Sequence, residues 1–361
     1  MPIGWACKAM ALAERITGEP RTSSQPVLLI GLGLLAFAAV VFELALGPVQ
    51  VPLADIAAWF AGEADAGTSA ILGQIRAPRA VLAVLVGCGL ALAGATMQGI
   101  LRNPLADPGL IGVTGGASLG AVLVIVLGEV LFAGVPNVLR PFLLPFAAFI
   151  GAALVTGFVF VVARRGGQTS VATLILAGVA VNAIAGAGIG AMVYISDDQQ
   201  LRNLTFWSMG ALGGASWTIV LVTGAIVMLA AVGLSRFDRA LDLFQLGERA
   251  AYHSGLDIER IKLKAGLLTA LAVGAVTAAA GPIGFVGLVA PHMARLIMGA
   301  GHRWMMPAAA LIGTALILLA DLAVRMAVPP AEPPIGLATS LIGGPFFLWL
   351  LLKRMKGLSL A

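Results

Sequence analysis

From Pro26 to Phe42, and again from Pro141 to Ala163, the chain runs without one charged or amide side chain. Runs of this length match what an α-helix needs to cross a hydrocarbon layer of about 30 Å at ~1.5 Å per residue. Lipid offers a backbone amide no partner, so such runs must form helices or a closed barrel. They lack the strict alternation of barrel strands, and helices are therefore expected. Only 11% of the 361 residues are charged and 60% are hydrophobic, whereas a soluble domain carries roughly a quarter charged residues. The 46 glycines and 19 prolines imply closely packed and frequently broken helices, as in a transporter or channel more than a simple anchor.

The expected fold is an all-α polytopic membrane protein with about ten spans: 27–47, 79–101, 109–128, 141–163, 171–194, 216–234, 265–284, 285–300, 305–327 and 335–352. The eighth is short and rich in Gly and Pro. Residues 1–26 read as a cytoplasmic tail, 27–356 as one permease domain, and 235–264 as its longest cytoplasmic loop. With the N-terminus inside, 17 of the 22 Lys and Arg residues fall inside. The exceptions are Arg76, Arg79, Arg140, Arg202 and Arg325. The opposite orientation inverts this ratio and is rejected by the positive-inside bias. Both termini are thus expected in the cytoplasm. The net charge of +5 reflects this loop bias, and no nucleic-acid partner follows from it.

The loop SRFDRALDLFQLGERAAYHSGLDIERIKLK (Ser235 to Lys264) places Leu241, Phe244, Leu246 and Ala250 at the spacing of one short amphipathic helix, ended by Gly255. Such a helix suits either a solvated loop or a docking surface for a cytoplasmic partner. On the external side, Val51 to Gly62 with Trp59 and Ser196 to Gly214 with Trp207 read as interfacial helices. The pairs Gly87 and Ala91, Gly116 and Gly120, and Gly186 and Gly190 have the spacing of close helix packing within one bundle.

Several chemistries lack their residues. There is no G-x-x-x-x-G-K-[ST] loop for nucleotide phosphates, and no nucleophile–base pair for an intramembrane enzyme. Cys7 and Cys88 are the only cysteines, so neither a disulfide framework nor a metal cluster is expected. An ion-coupled carrier needs carboxylates within the membrane. Only Glu43 and Asp321 qualify, and Asp321 stands one turn before Arg325, where a local ion pair is the simpler account.

IRAPRAVLAVLVG, GATMQGILRNPLADPGLIGVTGGASLGA, FQLGERAAYHSGLD, GFVGLVAPHMARLIMGAGHRWMMP and LADLAVRMAVPPAEPPIGLATSLIGGPFFLWLLLKR occur in this order from about Arg76 to Arg354. Together they resemble the FecCD-type permeases, the membrane subunits of ATP-driven importers for haem, iron-siderophores and cobalamin. The resemblance implies the vitamin B12/siderophore importer-type fold in a bacterial inner membrane. The partners it implies are a second copy of the chain, two ATP-binding subunits and a periplasmic substrate-binding protein. ATP and Mg would then be bound by the partner ATPase, with no cofactor on this chain.

By the same resemblance, Arg76 and Arg79 would pair with glutamates of the binding protein, and Arg325, which reaches the same external face, is the third docking candidate. Leu246, Gly247, Glu248, Arg249 and Ala250 would form the coupling helix seated in the ATPase. Met97, Gln98, Asn103, Pro104, Ser170, Val171, Ala172 and Tyr194 are the pathway or gate candidates. The run YISDDQQLRNLTFWSMGALGGASW together with HRWMMP looks most like the haem importers. Ferric siderophore and cobalamin remain alternatives, because an apolar cavity with few fixed charges suits all three.

Overall fold

The computed structural model describes residues 24–165, 168–327 and 332–358. The cytoplasmic tail expected over 1–26 lies almost wholly outside the described residues, and Cys7 with it. The helices over the expected spans are α1 (Gln25–Ala45), α3 (Ala66–Leu101), α4 (Val113–Leu131), α5 (Arg140–Ala163), α6 (Val171–Ile195), α8 (Trp217–Ser235), α11 (Ile258–Ala280), α12 (Val286–Met298), α13 (His302–Ala327) and α14 (Ile335–Leu358). Eight of these are long and apolar enough to span; α12 and the apolar part of α14 are shorter. Short helices fill the connections: α2 (Leu53–Ala61) and α7 (Asp198–Ser208) on the external side, α9 (Asp238–Gln245) and α10 (Glu248–His253) on the internal side. A two-residue hairpin, β1 (Arg164–Arg165) with β2 (Gln168–Thr169), joins α5 to α6.

All ten expected spans are helices, and both external segments contain the helices read from their tryptophans. The main boundary difference is at α3, which begins at Ala66 instead of residue 79. It passes through a widened π turn at Ile71–Arg76 before continuing to Leu101. The polar start is legible after the fact, since the Asp65 carboxylate accepts the Gly67 and Thr68 N–H groups at 2.8 and 3.0 Å and caps the first turn.

α3 is the axis of the bundle. Of its apolar window, 83% of residues are buried, against 17% for α6. It packs against α8, α11, α12 and α13. Two of these contacts are backbone to backbone. A Cβ on Gly94 would collide with the Gly287 carbonyl of α12, and one on Gly87 with the Gly313 carbonyl of α13. Burial of small residues lets the axes approach until main chains touch, which is how helices gain dispersion energy where lipid supplies no hydrophobic drive. Gly116 and Gly120 meet α5 in the same way.

Gly186 and Gly190 do not. Nothing lies within 4 Å of a Cβ at either position, so the within-bundle packing expected for that pair is corrected: α6 turns its glycine face outward.

A Gly94→Val change should therefore lower stability by about 3 kcal/mol or more, because backbone cannot yield as a side chain would. Gly186→Val should shift it by less than about 0.5 kcal/mol. Thermal unfolding of the two detergent-solubilised variants checks the contrast. Equal midpoints would contradict the packing assigned to α3.

Candidate functional site

At the outer end of the bundle, Arg76, Arg79 and Arg325 come together, but not on an exposed rim. Their residues are 4%, 6% and 3% accessible. Arg79 Nε and Nη2 donate to Asp321 Oδ2 and Oδ1 at 2.7 and 3.0 Å, and Nη1 donates to Glu332 Oε2 at 2.7 Å. Arg325 Nη2 pairs with Glu43 Oε1 at 2.5 Å, and its Nε lies 3.3 Å from Asp321 Oδ2. Arg76 donates to the carbonyls of Leu44 and Val49. Leu44 belongs to the last turn of α1, whose carbonyls have no helical partner, so the guanidinium completes that helix end.

Two guanidinium groups, Arg79 and Arg325, thus meet Glu43, Asp321 and Glu332 within one chain, and the third, Arg76, meets main-chain carbonyls. The fork of Arg79 matches the carboxylate of Asp321 bidentately, which is the strong form of this pair. The expectation of three exposed arginines awaiting a docking partner is corrected on this point: burial forces each to be satisfied inside the molecule. Asp321 does contact Arg325 as its spacing suggested, yet its two-toothed partner is Arg79. Glu332, with 46% of its side chain accessible, is the member of the cluster that reaches outside. Glu332 was not singled out from sequence, and a glutamate among prolines between two spans was the available signal.

At the inner end lies a cavity of ≈ 1650 Å³. Its lining joins the end of α3 (Arg102), the start of α6 (Ser170 and Val171) and the whole segment Leu246 to Ala250. The loop does not form the single helix expected. Gly247, at φ 104°, turns the chain between α9 and α10, a backbone state open to glycine and strained elsewhere. Phe244 is buried with Ala251 and Ile258 in a small cluster of its own. Leu246 is 73% accessible, and Arg249 and Ala250 are exposed beside it. Leu246 and Ala250 are therefore not on the buried face that the spacing assigned them.

Glu248 points the other way. Its Oε2 accepts from Lys262 Nζ at 2.8 Å, and Oε1 stands 3.9 Å from Arg102 Nη2. Lys262 is 3% accessible and also donates to the Thr169 carbonyl at 2.9 Å. Neither Lys262 nor Thr169 was a candidate from sequence, although Glu259 and Lys262, one turn apart, were a readable pair.

The remaining candidates divide. Ser170 caps α6, its Oγ accepting the Thr173 N–H at 3.3 Å. Met97 is 1% accessible and, with Val171, borders a second void of only ≈ 10 Å³. Gln98 is buried and reaches the Gly287 and Leu288 carbonyls of α12 at 3.5 and 3.4 Å. Both side chains are thus packed inside this chain. Asn103 is exposed, Pro104 half-buried and Ala172 exposed. Tyr194, 90% accessible, sits at the far end of α6 and is not brought near the others.

Residues 34–353 match the FecCD transport family. The chain belongs to that family. A FecCD protein is a membrane permease of the ATP-binding-cassette importer class, and the multi-pass helical bundle described above agrees with it.

The hemin transport system permease protein HmuU of Yersinia pestis is 47% identical over 284 residues, covering 78% of this chain and 83% of that protein. The cobalamin import system permease protein BtuC of Halobacterium salinarum is 39% identical over 79% of this chain and 74% of its own. The vitamin B12 import system permease protein BtuC of Vibrio cholerae is 37% identical over 93% and 96%. A solved inward-facing conformation of a metal-chelate type ABC transporter superimposes with a TM-score of 0.80 at 31% identity, over 91% of this FecCD chain and 99% of that one.

The buried cluster makes a stability prediction. Arg79→Ala should destabilise the protein by about 3–5 kcal/mol, since it removes the bidentate partner of the buried Asp321 and leaves it only the longer contact to Arg325. Arg79→Ala combined with Asp321→Ala should cost less than the sum of the single changes. Denaturation of the three variants in detergent checks this, and strict additivity would contradict the pairing.

Proposed function

We propose that this chain is the membrane-spanning subunit of a haem importer in a bacterial inner membrane. In this reading two copies enclose a central pathway, two ATP-binding subunits attach below, and a periplasmic binding protein delivers haem from above. The observation that carries haem as cargo is the 47% identity to a hemin transport permease. The cobalamin permeases at 37–39% support the alternative cargo, and ferric siderophore is the third. ATP hydrolysis belongs to the partner, which fits a chain without a nucleotide-phosphate loop.

The exposed Leu246, Arg249 and Ala250, held out by the turn at Gly247, suit a surface that seats in the ATPase. ATP-driven closure of the partners would press on this surface and alternate the access of the pathway between its two ends. The arginine cluster bears on docking through Glu332. A binding-protein carboxylate would have to share or replace that residue's place on Arg79, so docking at this end would set register more than affinity.

Two measurements test the reading. Proteoliposomes holding the complete complex should accumulate hemin in preference to cobalamin and a ferric siderophore; preferential cobalamin uptake would overturn the cargo. Leu246→Asp should reduce co-purification of the ATPase by about tenfold, the loss expected from one apolar anchor at an interface, while leaving the permease folded. Undiminished co-purification would remove the segment from the interface.

A further inference from the structure

Lys262 is a buried cation with three hydrogen-bond donors and oxygens from three different elements around it. The Thr169 carbonyl of β2 lies at 2.9 Å and Glu248 Oε2 of α10 at 2.8 Å. Glu259 Oε1, one turn back on α11, lies at 3.6 Å. Glu259 in turn closes a ring, its Oε2 accepting both the Thr169 N–H at 2.8 Å and the Thr169 hydroxyl at 2.6 Å. Thr169 is therefore held at its N–H, its hydroxyl and its carbonyl by α11, and α10 is held by the same ammonium.

Buried pairs of this kind add little to stability relative to apolar packing, but they fix a register. The register fixed here connects two places of different character. On one side is α10, whose outer face carries the exposed Arg249 and Ala250. On the other is Ser170, which follows Thr169 and caps α6, the least buried of the eight span-length helices. The end of α3 enters through Arg102, 3.9 Å from Glu248.

We infer that Lys262 is the positioning residue that converts displacement of α10 into movement of the Thr169–Ser170 turn and the inner end of α6. The inference rests on the importer reading above. A push on α10 moves Glu248; the ion pair carries that motion to Lys262, and the Thr169 carbonyl follows. Without Lys262 α10 can still be pressed by a partner, yet α6 no longer responds.

The test separates the two claims by measuring coupling without cargo. In the full complex, with Cys7→Ser and Cys88→Ala as background, Ser170→Cys is labelled by a maleimide with and without ATP. The parent complex should change its labelling rate on ATP addition. Lys262→Met, which keeps the apolar stem, should hydrolyse ATP at the parent rate. Its ATP-dependent change in labelling should be reduced by about tenfold, the size of an ordinary coupling term. Lys262→Arg should retain most of the response. Glu248→Gln should lose part of it, and adding Glu248→Gln to Lys262→Met should cost nothing more. A parent-like labelling change in Lys262→Met, or full additivity with Glu248→Gln, would overturn the clamp. Absence of any ATP response in the parent complex would instead overturn the importer reading on which it rests.

Discussion

A guanidinium near the start of the central helix, gripped by two carboxylates from the far end of the chain, ties the bundle together. Arg79 on α3 holds Asp321 on α13 and Glu332 in the connection to α14. Because α3 is also where Gly87 and Gly94 bring main chains into contact, its position sets those of α12 and α13. Arg325 and Arg76 extend the cluster to α1 through Glu43 and the carbonyls of Leu44 and Val49. Left unpaired, any one of these charges would be costly to keep out of water. Charge at the outer end and glycine along the shaft therefore hold the same helix, one by pairing and the other by close approach.

The two ends of the molecule are built differently. The outer cluster finds its partners within the chain and opens to solvent through Glu332. At the inner end is an open cavity, where α9 packs on α3 and α13 and bonds His302 through Asp242, while α10 rests on a small apolar cluster with Phe244 and Ile258 and is tied to α11 by Lys262. A rigid outer end and a jointed inner end suit a permease whose energy arrives from below.

Much of the fold was legible in the amino-acid order, because hydrophobic runs of span length have few alternatives in lipid. Their boundaries came within a few residues, except where α11 starts at Ile258 instead of 265, where α14 runs to Leu358 instead of 352, and at α3, where the Asp65 cap starts a helix in polar sequence. The site was less legible. The partners of Arg79 stand 242 and 253 residues away in the chain, a distance at which spacing carries no information, so three arginines read as a surface when they are an interior. The internal loop misled for a local reason: Leu241, Phe244, Leu246 and Ala250 have helical spacing, but the positive φ at Gly247 breaks the helix and exposes two of them. Gly186 and Gly190 have the same spacing as Gly116 and Gly120; only packing distinguishes an inward pair from an outward one.

On the importer reading proposed above, work enters through a partner at the inner end and not through an ion gradient across these helices. Asp321 and Glu43, the carboxylates an ion-coupled carrier would need, are occupied by Arg79 and Arg325. The direct measurement is hemin accumulation in proteoliposomes whose proton and sodium gradients and ATP supply are set independently. Accumulation should require ATP together with the ATP-binding subunits and should persist when both gradients are collapsed. Accumulation by this chain alone, driven by either gradient, would contradict the account.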